Sequence, residues 1–81
     1  MTHSDIIARL GGPKTVADFL GIANPNTVTY WGRWQEGRAI PARHWGALAT
    51  MKPEEVTLAD FAAGLAEGLR LRDAAAKAEA A

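Results

Sequence analysis

The sequence predicts an all-α protein, a compact bundle of about five helices, on three observations. Apolar residues recur at helical spacing in each segment between breakers. The breakers themselves, glycines and prolines, fall where helices stop and start. Residues counted as hydrophobic make up 48% of the 81 and many are alanine, which allows a helical core but a thin one.

Each element then follows from its own residues. Ser4 suits the N-cap of a first helix carrying Ile6, Ile7 and Leu10, which Gly11-Gly12 ends. Pro13 fits the first position of a second helix, Lys14 to Leu20, with Val16, Ala17, Phe19 and Leu20 on its buried side, and Gly21 stands just past its last turn. Ile22 turns back to the core. Asn24-Pro25 is a cap followed by a first-turn proline, so a third helix is expected from Pro25 to about Glu36, stopped by Gly37. Pro41 opens a fourth, Ala42 to about Thr50, with Trp45 and Leu48 three apart, and Lys52-Pro53 ends it. Thr57 and Asp60 form a variant capping box for a fifth helix whose Leu58, Phe61, Leu65 and Leu69 trace one stripe. One domain, 1–73, is expected to close with this helix at 57–73; the alanine-rich 74–81 offers nothing large to bury and is expected to fray.

Charge and composition restrict function. The formal net charge is zero, which argues against a general polyanion binder, but the charges are unevenly placed. Residues 1–45 hold Arg9, Lys14, Arg33, Arg38 and Arg43 against Asp5, Asp18 and Glu36, a surplus of two positive charges, and residues 46–81 carry the matching negative surplus. With no cysteine there is no disulfide framework, thiol nucleophile or cysteine-based zinc site. The start of the chain lacks the features of a signal peptide and no run approaches the ~20 apolar residues of a membrane span, so a cytoplasmic protein is expected. Catalytic and metal-binding constellations are missing from the sequence. The single serine is taken up by a cap, no phosphate loop or nucleophile elbow occurs, and no histidine or carboxylate pair has ligand spacing. No enzyme and no cofactor are expected.

At about 100° per residue, a helix from Pro25 to Glu36 divides into two arcs. Trp31 centres one, with Trp34, Thr27, Gln35 and Val28 within about 60° of it. The opposite arc gathers Asn26, Thr29, Tyr30, Arg33 and Glu36, and among them an amide, a hydroxyl, a phenol and a guanidinium can hydrogen-bond base edges or phosphates. Trp31 and Trp45 read as core. Trp34 is divided between packing on the fourth helix and presenting an exposed edge, and His44 beside Arg43 reads as structural.

A short helix, a tight glycine-containing turn and a second helix with a polar outer face is the helix-turn-helix plan. Gly11-Gly12, Val16-Ala17, Leu20-Gly21, Thr27-Val28, Trp31, Gly37-Arg38, Ile40-Pro41 and Trp45 carry a resemblance, over residues 5 to about 61, to small phage-derived Cro/CI (lambda-repressor-like) helix-turn-helix regulators. The chain departs from that family's spacing by one extra residue between Gly21 and Val28 and by Ala39 inside the Gly-Arg-Ile-Pro run. Ala17 and Gly21 fit the family's close interhelical crossing. The resemblance implies a lambda-repressor-like fold and base reading by Asn26, Thr29, Tyr30 and Arg33. By side-chain chemistry Arg33 could make the bidentate contact to guanine, Asn26 could pair with adenine, and Tyr30 could pack on a thymine methyl or hold a phosphate, with the division among them left open. It also implies phosphate contacts from Lys14, Thr15, Arg38 and Arg43.

These readings lead to a sequence-specific, double-stranded DNA-binding transcriptional regulator, a repressor, nucleoid-associated in the cytoplasm. It is expected to act as a homodimer on a pseudo-palindromic operator, since one helix-turn-helix reads about one half-site. Gly64 and Gly68, four apart beside Leu65 and Leu69, mark with Phe61 a face for a second copy; closure over the first and fourth helices is the alternative. An interaction module for a regulatory protein partner, or a phage DNA-packaging or recombination accessory, is the other reading of the same scaffold.

Overall fold

A computed structural model describes residues 1–80. Its order is α1 (His3–Arg9), α2 (Pro13–Leu20), α3 (Asn26–Trp31), single 3₁₀ turns at Trp34–Glu36 and Ala42–His44, α4 (Trp45–Leu48) and α5 (Leu58–Ala80), with no strand among the described residues. This is the expected all-α bundle of five helices. At about 1.5 Å per residue, α5 alone is about 34 Å long, which accounts for most of the long axis of a 43 × 25 × 19 Å molecule.

Helix starts follow the caps closely at α2, α3 and α5, whereas the fourth helix, expected from Ala42 to about Thr50, is a 3₁₀ turn followed by only Trp45–Leu48, and the first is shifted. Thr2, not Ser4, caps α1: the Asp5 amide donates to the Thr2 hydroxyl at 3.3 Å and the Thr2 amide donates to the Asp5 carboxylate at 2.9 Å. Ser4 lies exposed inside the helix. Aspartate three residues past a threonine completes the reciprocal pair that serine at position 4 lacks. Pro13 opens α2, and Gly21 closes it in the left-handed region at φ 73°. An added Cβ at Gly21 would touch nothing, so this glycine serves the turn and not a close helix crossing. The Asn24 carboxamide accepts the Asn26 amide at 3.0 Å, and Pro25 already has helical angles. At α5 the Thr57 amide donates to the Asp60 carboxylate at 2.8 Å.

The third helix is shorter than the sequence implies. It ends at Trp31, Gly32 caps it, and Arg33 at φ −81°, ψ 66° has left helical space. The chain then turns so that Trp34 packs on α5, where a Cβ at Gly68 would stand 3.0 Å from the Trp34 Cβ. Trp34 thus meets the fifth helix, not the fourth.

The core joins Ile6, Ile7 and Leu10 of α1 to Val16, Ala17, Val28 and Trp31, then to Ile40, Leu48, Val56 and Phe61. Phe19 is 48% exposed, against expectation. It lies about 110° around α2 from the centre of the Val16, Ala17 and Leu20 arc. The buried seam of α5 is Phe61, Gly64 and Gly68, whereas Leu58 and Leu69 are 56% and 45% exposed and Leu65 is half-buried. Glycine at 64 lets α5 sit directly against the start of α1: a Cβ there would come 2.8 Å from the Met1 carbonyl oxygen and 3.0 Å from His3 Cδ2. Phe61, Gly64 and Gly68 therefore belong to the chain's own core and are unavailable to a second copy; of the five residues assigned to that face, only Leu65 and Leu69 reach the surface. The helix continues through residues 74–80 with exposed side chains as far as residue 79; Ala81, the last residue of the expected fraying tail, lies outside the described residues.

Candidate nucleic-acid interface

The outer face of α3 exists because its inner face is anchored. Val28 is fully buried and Trp31 nearly so, the latter stacked on the His44 ring with centroids 5.1 Å apart. Asn26, Thr29 and Tyr30 consequently remain exposed together. Thr29 borders a groove whose other walls include Gly12 and Pro13, so this edge of α3 adjoins the first turn of α2, where Lys14 and Thr15 are exposed. The opposite edge, at Tyr30, meets Arg38: its guanidinium carbon lies 4.0 Å from the ring centroid. Arg43 is exposed on the 42–44 turn, one residue before His44.

Backbone geometry brings Arg38 back over α3. The Gly37 amide donates to the Trp34 carbonyl and the Arg38 amide to the Arg33 carbonyl, closing a turn at 3.0 and 3.2 Å. That reversal requires Gly37 at φ 77°, ψ 18°, a left-handed conformation any side chain would resist. Of the four expected base-reading residues, Asn26, Thr29 and Tyr30 share the α3 surface. Arg33 does not: it stands beyond the helix, its guanidinium 3.6 Å from the Glu36 carboxylate. Both partners are more than half exposed, so this pair contributes little to stability. Nothing in the sequence spacing linked Arg38 to Tyr30, because eight residues and a non-helical break separate them.

Behind this surface is a histidine that no motif or spacing singles out. His3 is buried, and its Nδ1 accepts the Ile40 amide at 2.9 Å while Nε2 donates to the Phe61 carbonyl at 2.7 Å. The accepting role of Nδ1 fixes the neutral Nε2–H tautomer. The ring sits edge-on to Trp45, with centroids 5.9 Å apart, and Trp45 Nε1 donates to the Ile40 carbonyl at 2.8 Å. One ring therefore ties α1, the 38–41 link and α5 together.

Burial lowers the His3 pKa below the ordinary 6.5, outweighing the bond to Phe61 that raises it. His44 is also lowered, first by burial and then by the charge of Arg43. For a histidine held neutral in the fold, protons bind the unfolded chain more readily, so stability is complete above about pH 6.5 and falls as pH drops from there towards the folded value. The urea midpoint is expected to decrease between pH 7.5 and 5.5, and His3 observed by NMR should remain the neutral Nε2–H form at pH 6.5. A His3 ring half protonated at that pH would contradict the assignment.

The chain was compared with protein-family models, with curated proteins and with solved structures, and no match was found.

Proposed function

We propose that this chain is a sequence-specific double-stranded DNA-binding regulator of the helix-turn-helix class, with α2 and α3 as the motif and α3 in the major groove. The observation that carries the reading is the exposed face of α3, with Asn26, Thr29 and Tyr30 held forward by the buried Val28 and Trp31 and flanked by cationic groups on both edges. Amide and hydroxyl groups suit base edges, whereas Lys14, Thr15 and Arg43 at the margins suit the phosphates on either side. A homodimer would set two such faces on a pseudo-palindromic operator and repress by occupying a promoter in the nucleoid; on α5 the surface available to a second copy is Leu58, Leu65 and Leu69. Among the described residues no helix is long and apolar enough to cross a membrane.

The decisive measurement is the salt dependence of binding to duplex DNA. With about four phosphates neutralised by Lys14 and Arg43 in a dimer, affinity should fall roughly 100-fold between 50 and 200 mM salt. The exposed leucines of α5 support the second reading, an interaction module for another protein, and binding carried by such an apolar surface would change little over the same range. A flat salt response would therefore sink the DNA reading and favour the protein partner.

A further inference from the structure

We infer that Arg38, seated on the Tyr30 ring, and not Arg33, supplies the guanidinium fork that recognises guanine at a G·C pair. This inference rests on the DNA-binding reading and assigns a specificity residue within it.

A guanine in the major groove offers two acceptors, O6 and N7, side by side, and a planar fork held at a fixed angle matches that pair better than a flexible ammonium. Two arginines lie near the outer face of α3, and their surroundings differ. Arg33 follows the break at Gly32, is off the helix, and faces the Glu36 carboxylate at 3.6 Å. To meet a base it would give up that partner and order a side chain that is more than half exposed. Arg38 is held from two sides. Its backbone is fixed by the left-handed Gly37 and by the hydrogen bond its amide donates to the Arg33 carbonyl, and its guanidinium lies 4.0 Å from the Tyr30 centroid.

A cation over an aromatic face is held by the ring's quadrupole, and the five N–H donors of a guanidinium are more than one ring can occupy. Fixing the fork before DNA arrives lessens the entropy lost when two hydrogen bonds form. Tyr30 is then a positioning residue, and its ring matters more than its hydroxyl. A phosphate contact for Arg38 would need only its charge; the ring contact is what favours a base.

The test uses the full chain and a duplex selected from a randomised library by the wild-type protein. Anisotropy titrations are run on that duplex and on versions with each G·C pair changed in turn to A·T, after circular dichroism has shown each variant folded. Arg38→Lys keeps the charge and loses the fork. It should lose discrimination of about 5-fold or more at one G·C pair while affinity for unrelated duplexes stays the same. Tyr30→Leu should lose part of the discrimination at that same pair, Tyr30→Phe should keep it, and Arg33→Ala should keep it as well.

If Arg38→Lys discriminates like the wild type, or if Arg33→Ala removes the preference, the assignment of Arg38 is overturned while the DNA-binding reading stands. If the wild type binds no duplex with a salt-dependent affinity, both fall.

Discussion

Phe61→Ala is expected to destabilise the fold by about 3 to 5 kcal/mol, the range for truncating a fully buried phenylalanine. Its ring is fully buried, stacks on Trp45 with centroids 5.9 Å apart, and meets the His3 ring at 6.2 Å; its carbonyl accepts a hydrogen bond from His3 Nε2–H. Truncation removes the apolar contact and leaves a cavity that neighbours tied by hydrogen bonds are poorly placed to fill. Native domains are stable by about 5 to 15 kcal/mol, and one with so thin a core falls at the low end. That leaves about 0 to 2 kcal/mol, so between a few per cent and about half of the variant should be unfolded. Urea unfolding followed by circular dichroism measures this, and a loss under about 1 kcal/mol would show that α5 is anchored elsewhere.

The second large effect is expected at Gly64→Val, at about 3 kcal/mol, from overpacking and not from a void. Its Cβ would stand 2.8 Å from the Met1 carbonyl oxygen, 3.0 Å from His3 Cδ2 and 3.3 Å from Ile6 Cδ1, before the two methyl groups are placed. Replacing a mid-helix glycine ordinarily gains up to about 1 kcal/mol in helix propensity. Here the clash outweighs that gain, because the atom met first belongs to the backbone. The experiment also separates two roles for this glycine. If Gly64 faced another subunit, valine would leave the unfolding midpoint of the monomer unlowered, or raise it slightly, and alter the dependence on protein concentration.

The contrast at α5 explains what the sequence could and could not reveal. Helix starts were legible because their chemistry is local: Asn24-Pro25, Pro13 and the Thr57 and Asp60 pair act within three residues of themselves. The core role of Trp31 was legible because Val28 shares its stripe. Choosing the buried side of α5 by side-chain size led instead to Leu58, Leu65 and Leu69. The seam used is Phe61, Gly64 and Gly68, because the start of α1 and the Trp34 turn approach too closely for a larger residue. That proximity is tertiary and leaves no periodic signal.

The candidate surface divides the same way. Asn26, Thr29 and Tyr30 were legible from the helical period within the six residues where it applies. Arg33 was misplaced because Gly37 looked a sufficient stop, while the helix ends five residues earlier so that Trp34 can reach Gly68. Once the helix is broken, angles counted from Trp31 no longer hold. The contact of Arg38 with Tyr30 depends on the path after that break.

His3 carries a kinetic meaning as well. Its two hydrogen bonds reach 37 and 58 residues along the chain, whereas the helix and turn bonds of α1 to α4 close within a few residues. Short-range contacts form early at small entropic cost, and contacts that close long loops reward the chain only after that cost has been met. The His3 clasp therefore closes late in folding, and its strength sets how slowly the chain opens more than how fast it collapses. The first and last helices are held together by that ring and by the close approach at Gly64.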